Sequence, residues 1–408
     1  MRPLDARRLW LVGIGGAGMS ALALVARAWG AEVGGSDRAR SSYVERLEAA
    51  EIAVAAGHDA ANVPEGAEVI ASSAIGVDNP ELVEARARGL RIRSRGELLA
   101  ELVALRPSIV VAGAHGKTTT AGMIAFCLDR LGSDPTFLIG GEIPQLGGNA
   151  RAGDGWLVAE GDESDRSLEL LRPRIAVLTN VDLDHHATFR SQAEVRELFE
   201  RWLAAAPAAV RGDGLQPASL ELAVPGEHNR RNAAAALAAL ELAGVARRDA
   251  EGALTEFRGA ARRFEPRGEV AGVRVFDDYG HHPCEIAATL ATARAAVDGG
   301  RLLVLFQPHL YSRTRHLALD LGAALAAADA AAVTEIYAAR EDPVAGVRGK
   351  LVVDALAAQR PGMAIAWTPS LEDGARFLAR RARRGDLILT IGAGDVERAA
   401  PLILEELG

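Results

Sequence analysis

The segment Gly113-Ala114-His115-Gly116-Lys117-Thr118-Thr119-Thr120 constrains the chain more than any other. A β-branched apolar run, Ser108-Ile109-Val110-Val111-Ala112, precedes it, and a helix-like apolar run, Ala121 to Leu131, follows. Strand, glycine turn, Lys-Thr and helix in that order form a phosphate cradle. The glycines let backbone N–H groups converge on phosphate oxygens. The helix N-terminus adds partial positive charge, Lys117 adds a full one, and Thr118 can hold Mg²⁺. The pattern is not strict, because Val111 stands where the general motif has its first glycine. The turn nevertheless predicts a nucleoside triphosphate site, and with it an α/β sheet that buries the strand.

At 408 residues the chain exceeds one ordinary core, so two or three domains are expected. Apolar residues make up 49% and aromatics 4%, so Ala, Leu and Val must fill the core. That suits helices packed on parallel sheets. With 54 acidic against 46 basic residues, the chain lacks the basic balance of a nucleic-acid binder. Two cysteines, Cys127 and Cys284, give neither a disulfide framework nor a CxxC pair. The early apolar run Leu9 to Trp29 contains Gly13, Gly15, Gly16, Gly18 and Arg27. It reads as strand, turn and helix, not as a secretory signal or a membrane span. A cytoplasmic protein without membrane insertion is expected.

Three βαβ series are legible. The first has strands at Arg8–Val12, Ala31–Gly34 and Glu68–Ala71, with Gly13-Ile14-Gly15-Gly16-Ala17-Gly18-Met19-Ser20 after its first strand. The second starts after Arg106-Pro107, continues through strands Gly155–Ala159 and Ile175–Thr179, and closes with a helix over Asn232–Ala243. The third begins near Phe264 and has strands at Val273–Phe276, Leu302–Phe306, Ala331–Thr334, Ala364–Trp367 and Asp386–Thr390.

Several strings fall at the carboxyl ends of these strands, where open α/β sheets bind ligands. Gly13-x-Gly15-x-x-Gly18 with Asp37 fits a dinucleotide fingerprint, and equally a turn holding the pyrophosphate of a sugar nucleotide or merely packing helix on strand. Glu160-Gly161-Asp162-Glu163-Ser164-Asp165 can supply an oxygen ligand to Mg²⁺. Asn180-Val181-Asp182-Leu183-Asp184-His185-His186 combines Asp and His, a pattern shared with metal-dependent phosphoesterases. In Gly226-Glu227-His228-Asn229-Arg230-Arg231-Asn232, Asn229 is expected to cap a helix. His281 and His282, in Asp277-Asp278-Tyr279-Gly280-His281-His282-Pro283, face opposite ways if extended, so they do not chelate as a pair. Arg313 and Arg315, after Phe306-Gln307-Pro308-His309-Leu310-Tyr311-Ser312, suit a phosphate or carboxylate.

Taken in order, with Ser72-Ser73-Ala74-Ile75 and Arg262-Arg263-Phe264 added, these strings resemble the Mur ligases nearly end to end. The resemblance is strongest to the branch that joins L-alanine to UDP-N-acetylmuramate in peptidoglycan synthesis. It implies an α/β protein of three domains. These are a Rossmann-like UDP-sugar domain (1–106), a central P-loop ATPase-like parallel-sheet domain (107–263) and a Rossmann-like amino-acid domain (264–408). It implies ATP and Mg²⁺, an acyl-phosphate intermediate and small-molecule partners, and it leaves self-association open.

By similarity, Lys117, Glu160, His185, His281 and Arg313 are catalytic, with Thr118, Glu160 and His185 as metal ligands. ATP would meet Gly113, Ala114, His115, Gly116, Lys117, Thr118, Thr119, His228, Asn229, Asn232, Arg263 and Asp277. The UDP-sugar would meet Gly15, Gly16, Gly18, Met19, Ser20, Asp37, Ser72, Ser73, Ala74, Glu163 and Ser164. The amino acid would meet Tyr279, His281 and Arg313.

Three departures stand out against the family pattern. The stretch between Asp213 and Leu220 is several dozen residues shorter, which predicts a trimmed sheet edge, not a lost site. Leu310 stands where an Arg is usual, and Cys284 where a Thr is. A non-catalytic relative that binds nucleotide or UDP-sugar is the alternative from another class, and a dehydrogenase comes third.

Overall fold

The computed structural model describes residues 2–184, 188–339 and 341–408. By chain contacts it divides into two compact units, residues 1–224 with 229–260, and residues 225–228 with 261–408.

The first unit carries two sheets. Strands β1 (Arg8–Val12), β2 (Glu32–Asp37), β3 (Ala53–Ala56), β4 (Glu68–Ala71) and β5 (Ile92–Ser94) form an all-parallel sheet in the order β3-β2-β1-β4-β5. The order reverses direction at β1, and such a switch point is where a doubly wound sheet opens a crevice for a ligand. Helices α1 (Ala17–Ala28), α2 (Ser42–Ala49), α3 (Pro80–Ala87) and α4 (Arg95–Ala104) belong to this sheet. Ser94 caps α4 in a reciprocal capping box with Glu97, which satisfies two otherwise open N–H groups.

The second sheet has the order β11-β10-β6-β9-β7-β8, from β6 (Ser108–Ala112), β7 (Thr136–Ile143), β8 (Gly148–Arg151), β9 (Leu157–Glu160), β10 (Ile175–Leu178) and β11 (Ala208–Arg211). Every residue of β6 is buried, as a central parallel strand covered on both faces requires. The edge strand β8 runs antiparallel to β7, a departure from the all-parallel expectation. Helices α5 (Lys117–Arg130), α6 (Gln192–Ala204), α7 (Glu227–Leu242) and α8 (Arg247–Leu254) complete this part of the chain. After β11 the chain makes one 3-10 turn, Gly212–Gly214, and residues 215–226 carry neither helix nor strand. That short return packs Ala218, Val224, Leu220 and Leu222 onto the core around α5 and α7, and the Ala218 N–H donates to the Arg230 carbonyl.

One apolar cluster joins these two sheets. Leu22 and Met19 of α1 and Leu98 and Leu102 of α4 share it with Val110 of β6, Leu157 of β9 and Phe199 of α6. Polar contacts add register. Asn149 on β8 donates to the Ala17 carbonyl (2.9 Å), and Arg46 on α2 pairs with Glu142 (3.1 Å).

The second unit carries a sheet ordered β12-β13-β17-β14-β15-β16. Its strands are β12 (Glu265–Val270), β13 (Val273–Asp278), β14 (Leu302–Phe306), β15 (Ala330–Val333), β16 (Ala364–Trp367) and β17 (Leu387–Ile391). β12 is antiparallel to β13, and the remaining pairs are parallel. Helices α9 (Pro283–Ala296), α10 (Tyr311–Leu325), α11 (Lys350–Gln359), α12 (Leu371–Ala379) and α13 (Ala399–Leu407) pack on it in two apolar clusters. No helix among the described residues is long and apolar enough to cross a membrane.

Cys127 lies in the buried face of α5, and burial pushes its thiol up to about 12, whereas Cys284 is exposed. The thiolate is the reactive form. A disulfide-exchange reagent at neutral pH should therefore titrate Cys284 in the folded protein and both thiols after denaturation. Rapid titration of two thiols without denaturant would contradict this packing.

Candidate active site

The phosphate-cradle segment forms as expected, with one change of boundary. Helix α5 starts at Lys117, four residues earlier than the apolar run suggests, so Lys117 and Thr118 occupy its first turn. Gly116 precedes it in the left-handed region (φ 80°), and a Cβ there would stand 2.4 Å from Asn232 Oδ1. Glycine is the one residue that meets both demands. The turn is braced by the end of β10. The His115 N–H donates to Asn180 Oδ1 (2.9 Å), and both Asn180 Nδ2 (2.9 Å) and Thr179 Oγ1 (2.6 Å) donate to the His115 carbonyl. The sequence shows Asn180 and Thr179 at a strand's carboxyl end but gives no sign that they brace this turn.

Lys117 Nζ donates to the Gly113 carbonyl (2.6 Å) and lies 3.3 Å from each oxygen of Glu163. Burial opposes the ammonium charge, but Glu163, Asp162 and Glu160 outweigh it and hold the Lys117 pKa above its ordinary value. Glu163 itself is 2% exposed, so its pairing with Lys117 is little screened by water. Asp162 is likewise opposed by burial, and Arg95 and Ser164 hold its carboxyl below the usual range. Arg95, absent from the sequence expectations, pairs with Asp162 (2.9 Å) and Asp165 (3.6 Å) and ties α4 to the acidic loop.

Glu160 ends β9. One oxygen accepts from the Gly140 N–H (2.6 Å) and the other from Thr118 Oγ1 (3.2 Å). Two hard oxygen donors meeting at the mouth of the cradle suit Mg²⁺, which prefers few carboxylates and retains waters. His185 and His186, the third expected ligand and its neighbour, lie outside the described residues. Of the same string, Asn180 braces the turn and Asp182 Oδ2 lies 3.4 Å from His115 Nε2.

The Gly13–Gly18 turn also forms between β1 and α1. Asp37 at the end of β2 accepts from the Gly15 N–H (2.8 Å), and a Cβ on Gly15 would meet Val44 at 2.8 Å and Asp37 at 3.0 Å. Gly16 and Gly18 continue the turn into α1, where Met19 and Ser20 are buried. Ser72 packs beside Gly13, its N–H donates to the Val12 carbonyl, and its hydroxyl accepts from the Ala74 N–H (3.3 Å). Ser73 and Ala74 follow in the same loop. Ser164 hydrogen-bonds Asp162 Oδ1 through its N–H (2.9 Å).

Asn229 does not cap its helix. α7 begins at Glu227, which puts Asn229 inside the first turn, where its side-chain oxygen accepts from Asn232 Nδ2 (3.4 Å). The Gly226 turn ends early enough for Glu227 and His228 to be helical, which moves the start five residues before Asn232.

In the second unit, burial and then the Arg263 charge hold His228 below the ordinary histidine pKa, so its imidazole is neutral at pH 7. Asp277 is fully buried. It accepts from Arg262 Nε (2.8 Å) and Thr390 Oγ1 (2.6 Å), so here it organises the sheet's carboxyl end. Arg262 and Arg263 lie over the Tyr279 ring, 5.1 and 5.3 Å from its centre. The rings of Tyr279, His281, His309 and Tyr337 follow one another at 5.8–5.9 Å. Arg313 is 7% exposed, with Nη1 3.0 Å from His309 Nδ1. Leu310, between them, has φ 70° and ψ 136°, a strained backbone for a non-glycine residue, held by its N–H donating to the Tyr337 carbonyl (3.0 Å).

A lysine pKa raised by folding stabilises the fold fully below the ordinary value of 10.5, and that stability is lost as pH rises through the higher folded value. Glu163→Gln removes the nearest carboxylate. Its alkaline loss of thermal stability should therefore begin at lower pH than in the parent. Melting curves from about pH 9 to 11 test this, and superimposable profiles would contradict it.

Comparison with known proteins agrees with this geometry. Residues 9–106 match the model of the Mur ligase family catalytic domain, 111–210 the Mur ligase middle domain, and 262–394 the Mur ligase glutamate ligase domain. A UDP-N-acetylmuramate–L-alanine ligase of Renibacterium salmoninarum is 42% identical over 99% of this chain and 96% of its own. Its namesake from Kineococcus radiotolerans is 43% identical over 98% and 96%. Both alignments run to 455 positions against 408 residues here, so these relatives carry segments that this chain lacks. Among solved structures, the UDP-N-acetylmuramate–alanine ligase of Thermotoga maritima superimposes with a TM-score of 0.83 at 28% identity over 98% of both chains. A murein peptide ligase from Psychrobacter arcticus gives 0.70 at 25% over 99% of both. With three family models along its length and such identity end to end, the chain belongs to the Mur ligase family.

Proposed function

We propose that this protein is an ATP-dependent ligase that joins L-alanine to the carboxylate of UDP-N-acetylmuramate in peptidoglycan synthesis, releasing ADP and phosphate. The observation that carries the reading is the intact cradle, Lys117 with Thr118 and Glu160, in a chain 42% identical to such ligases over 99% of its length. The better superposition on the alanine ligase than on the murein peptide ligase supports alanine as the amino acid. Three functional domains, 1–106, 107–263 and 264–408, are proposed, and the presence of three sheets supports that number.

A carboxylate does not condense with an amine in water unaided. Transfer of the ATP γ-phosphoryl group to the muramate carboxylate makes an acyl phosphate, the alanine amine attacks it, and phosphate leaves. The difficulty lies in bringing two anions together. At about 4 Å their repulsion is on the order of 4 kcal/mol at an effective dielectric of 20. Lys117, held cationic in its acidic surround, offsets that repulsion, and the first turn of α5 directs N–H groups at the phosphates. Thr118 and Glu160 would hold Mg²⁺, which supplies charge neutralisation on the phosphates. The Gly13–Gly18 turn, Asp37 and the Ser72–Ala74 loop are proposed to hold the UDP moiety. His228, Asn229 and Asn232 are proposed to lie near the adenine. Tyr279, His281 and Arg313 are proposed to hold the amino acid. The neutral imidazole of His228 suits a base better than an imidazolium does. Leu310 removes one cation from this third group, which leaves Arg313 to meet the alanine carboxylate.

Phosphate release measured with ATP, UDP-N-acetylmuramate and each of several amino acids tests the assignment. Release that depends on both the sugar nucleotide and L-alanine is expected, and release indifferent to either would overturn it. Lys117→Ala should abolish turnover while calorimetric binding of UDP-N-acetylmuramate persists, because the two ligands use different sheets. Loss of both together would count against the division of labour.

A further inference from the structure

A buried polar network in the first sheet lies outside the site described above. Glu81, on the first turn of α3, is 0% exposed, yet it is a carboxylate. Its Oε2 accepts from Ser36 Oγ (2.5 Å) and its Oε1 from Asn62 Nδ2 (2.8 Å). His58 Nδ1 lies 2.9 Å from Ser36 Oγ, and the His58 side chain is 4% exposed. Because the one proton of Ser36 goes to Glu81, the Ser36 oxygen is free to accept from the imidazole N–H, so the three groups interlock in one direction. Such a carboxylate is costly to bury, and an apolar residue would fill the place with less difficulty.

The cost is offset where the network ends. Ser36 is the penultimate residue of β2, and its backbone carbonyl accepts both the Gly13 (2.9 Å) and Ile14 (3.0 Å) N–H groups. The next residue, Asp37, accepts from Gly15 (2.8 Å), and its carbonyl accepts from the Gly57 N–H (2.7 Å), beside His58. The glycine turn is thus hung on a strand end whose position is set from behind by Glu81, His58 and Asn62. We infer that Glu81 is a positioning residue for sugar-nucleotide binding, acting through Ser36 on the Gly13–Gly15 turn. This rests on the reading that the turn holds the UDP moiety of the substrate.

The experiment compares Glu81→Gln and Glu81→Ala with the parent enzyme. Calorimetry measures UDP-N-acetylmuramate binding, and steady-state assays give separate KM values for UDP-N-acetylmuramate, ATP and L-alanine. Glu81→Ala should raise the KM and Kd for the sugar nucleotide by about tenfold, the scale of one buried hydrogen bond lost. The KM for ATP and kcat should stay within about twofold. Glu81→Gln keeps the acceptor for Ser36 but not that for Asn62, so it should recover part of the affinity. If Glu81→Ala does not fold, the Gln variant alone must still show the selective rise in KM. A fall in melting temperature with all three KM values unchanged, or raised equally, overturns the inference. Failure of the parent protein to bind UDP-N-acetylmuramate overturns the reading beneath it instead, and the inference with it.

Discussion

The charge of Lys117 is the interaction on which the rest of the molecule is arranged. It stands at the first turn of α5, against the Gly113 carbonyl and the Glu163 carboxylate, with Asp162 and Glu160 in its field. A cation placed at a helix N-terminus opposes the helix dipole, and burial opposes it further. The acidic loop after β9 balances both. The sheet brings these pieces together, because β6 and β9 are adjacent and parallel, and their carboxyl ends deliver the glycine turn and the acids to one edge. Negative groups at that edge steady the lysine, while the N–H groups beside it remain suited to phosphate oxygens.

The same edge is tied to the first sheet by side chains. Arg95 at the start of α4 neutralises Asp162 and Asp165, so the acidic loop is held by a residue of a different βαβ series. Asn149 and the apolar side chains of α1 and α4 extend the join on the other side. The Gly13–Gly18 turn and the glycine turn before α5 therefore sit in one compact unit. The third sheet has its own core and its own set of rings and arginines at its carboxyl end.

The parts of this arrangement legible in sequence were those where glycine, charge and hydrophobic run coincide. The central strands, β1, β6, β10, β14 and β17, consist mostly of buried apolar residues, and the turns after β1 and β6 are marked by glycines. What escaped was non-local. β7 contains Gly140 and Gly141, which break a strand pattern, yet Gly140 is there because Glu160 approaches its N–H. β12 reads Glu-Pro-Arg-Gly-Glu-Val, too polar for a strand, and it forms as an exposed antiparallel edge with a register shift at Pro266. Asn229 had the chemistry of a cap, but the helix started earlier. The work of Glu163 and Asp277 depends on partners 46 and 15 residues away, which no local pattern encodes.

The apolar seam between the first two sheets has an evolutionary corollary. A nucleotide-binding fold is often treated as a cassette that can be exchanged among relatives. In this protein the inner faces of α1 and α4 are half of a core completed by β6, β9 and α6. Recombination at Arg106-Pro107 would cut the chain at a loop, yet sever a surface that must match side chain for side chain. Chimeras that respect the covalent junction but not this seam would carry mismatched halves, so inheritance of the two parts as a pair is the course that the packing favours.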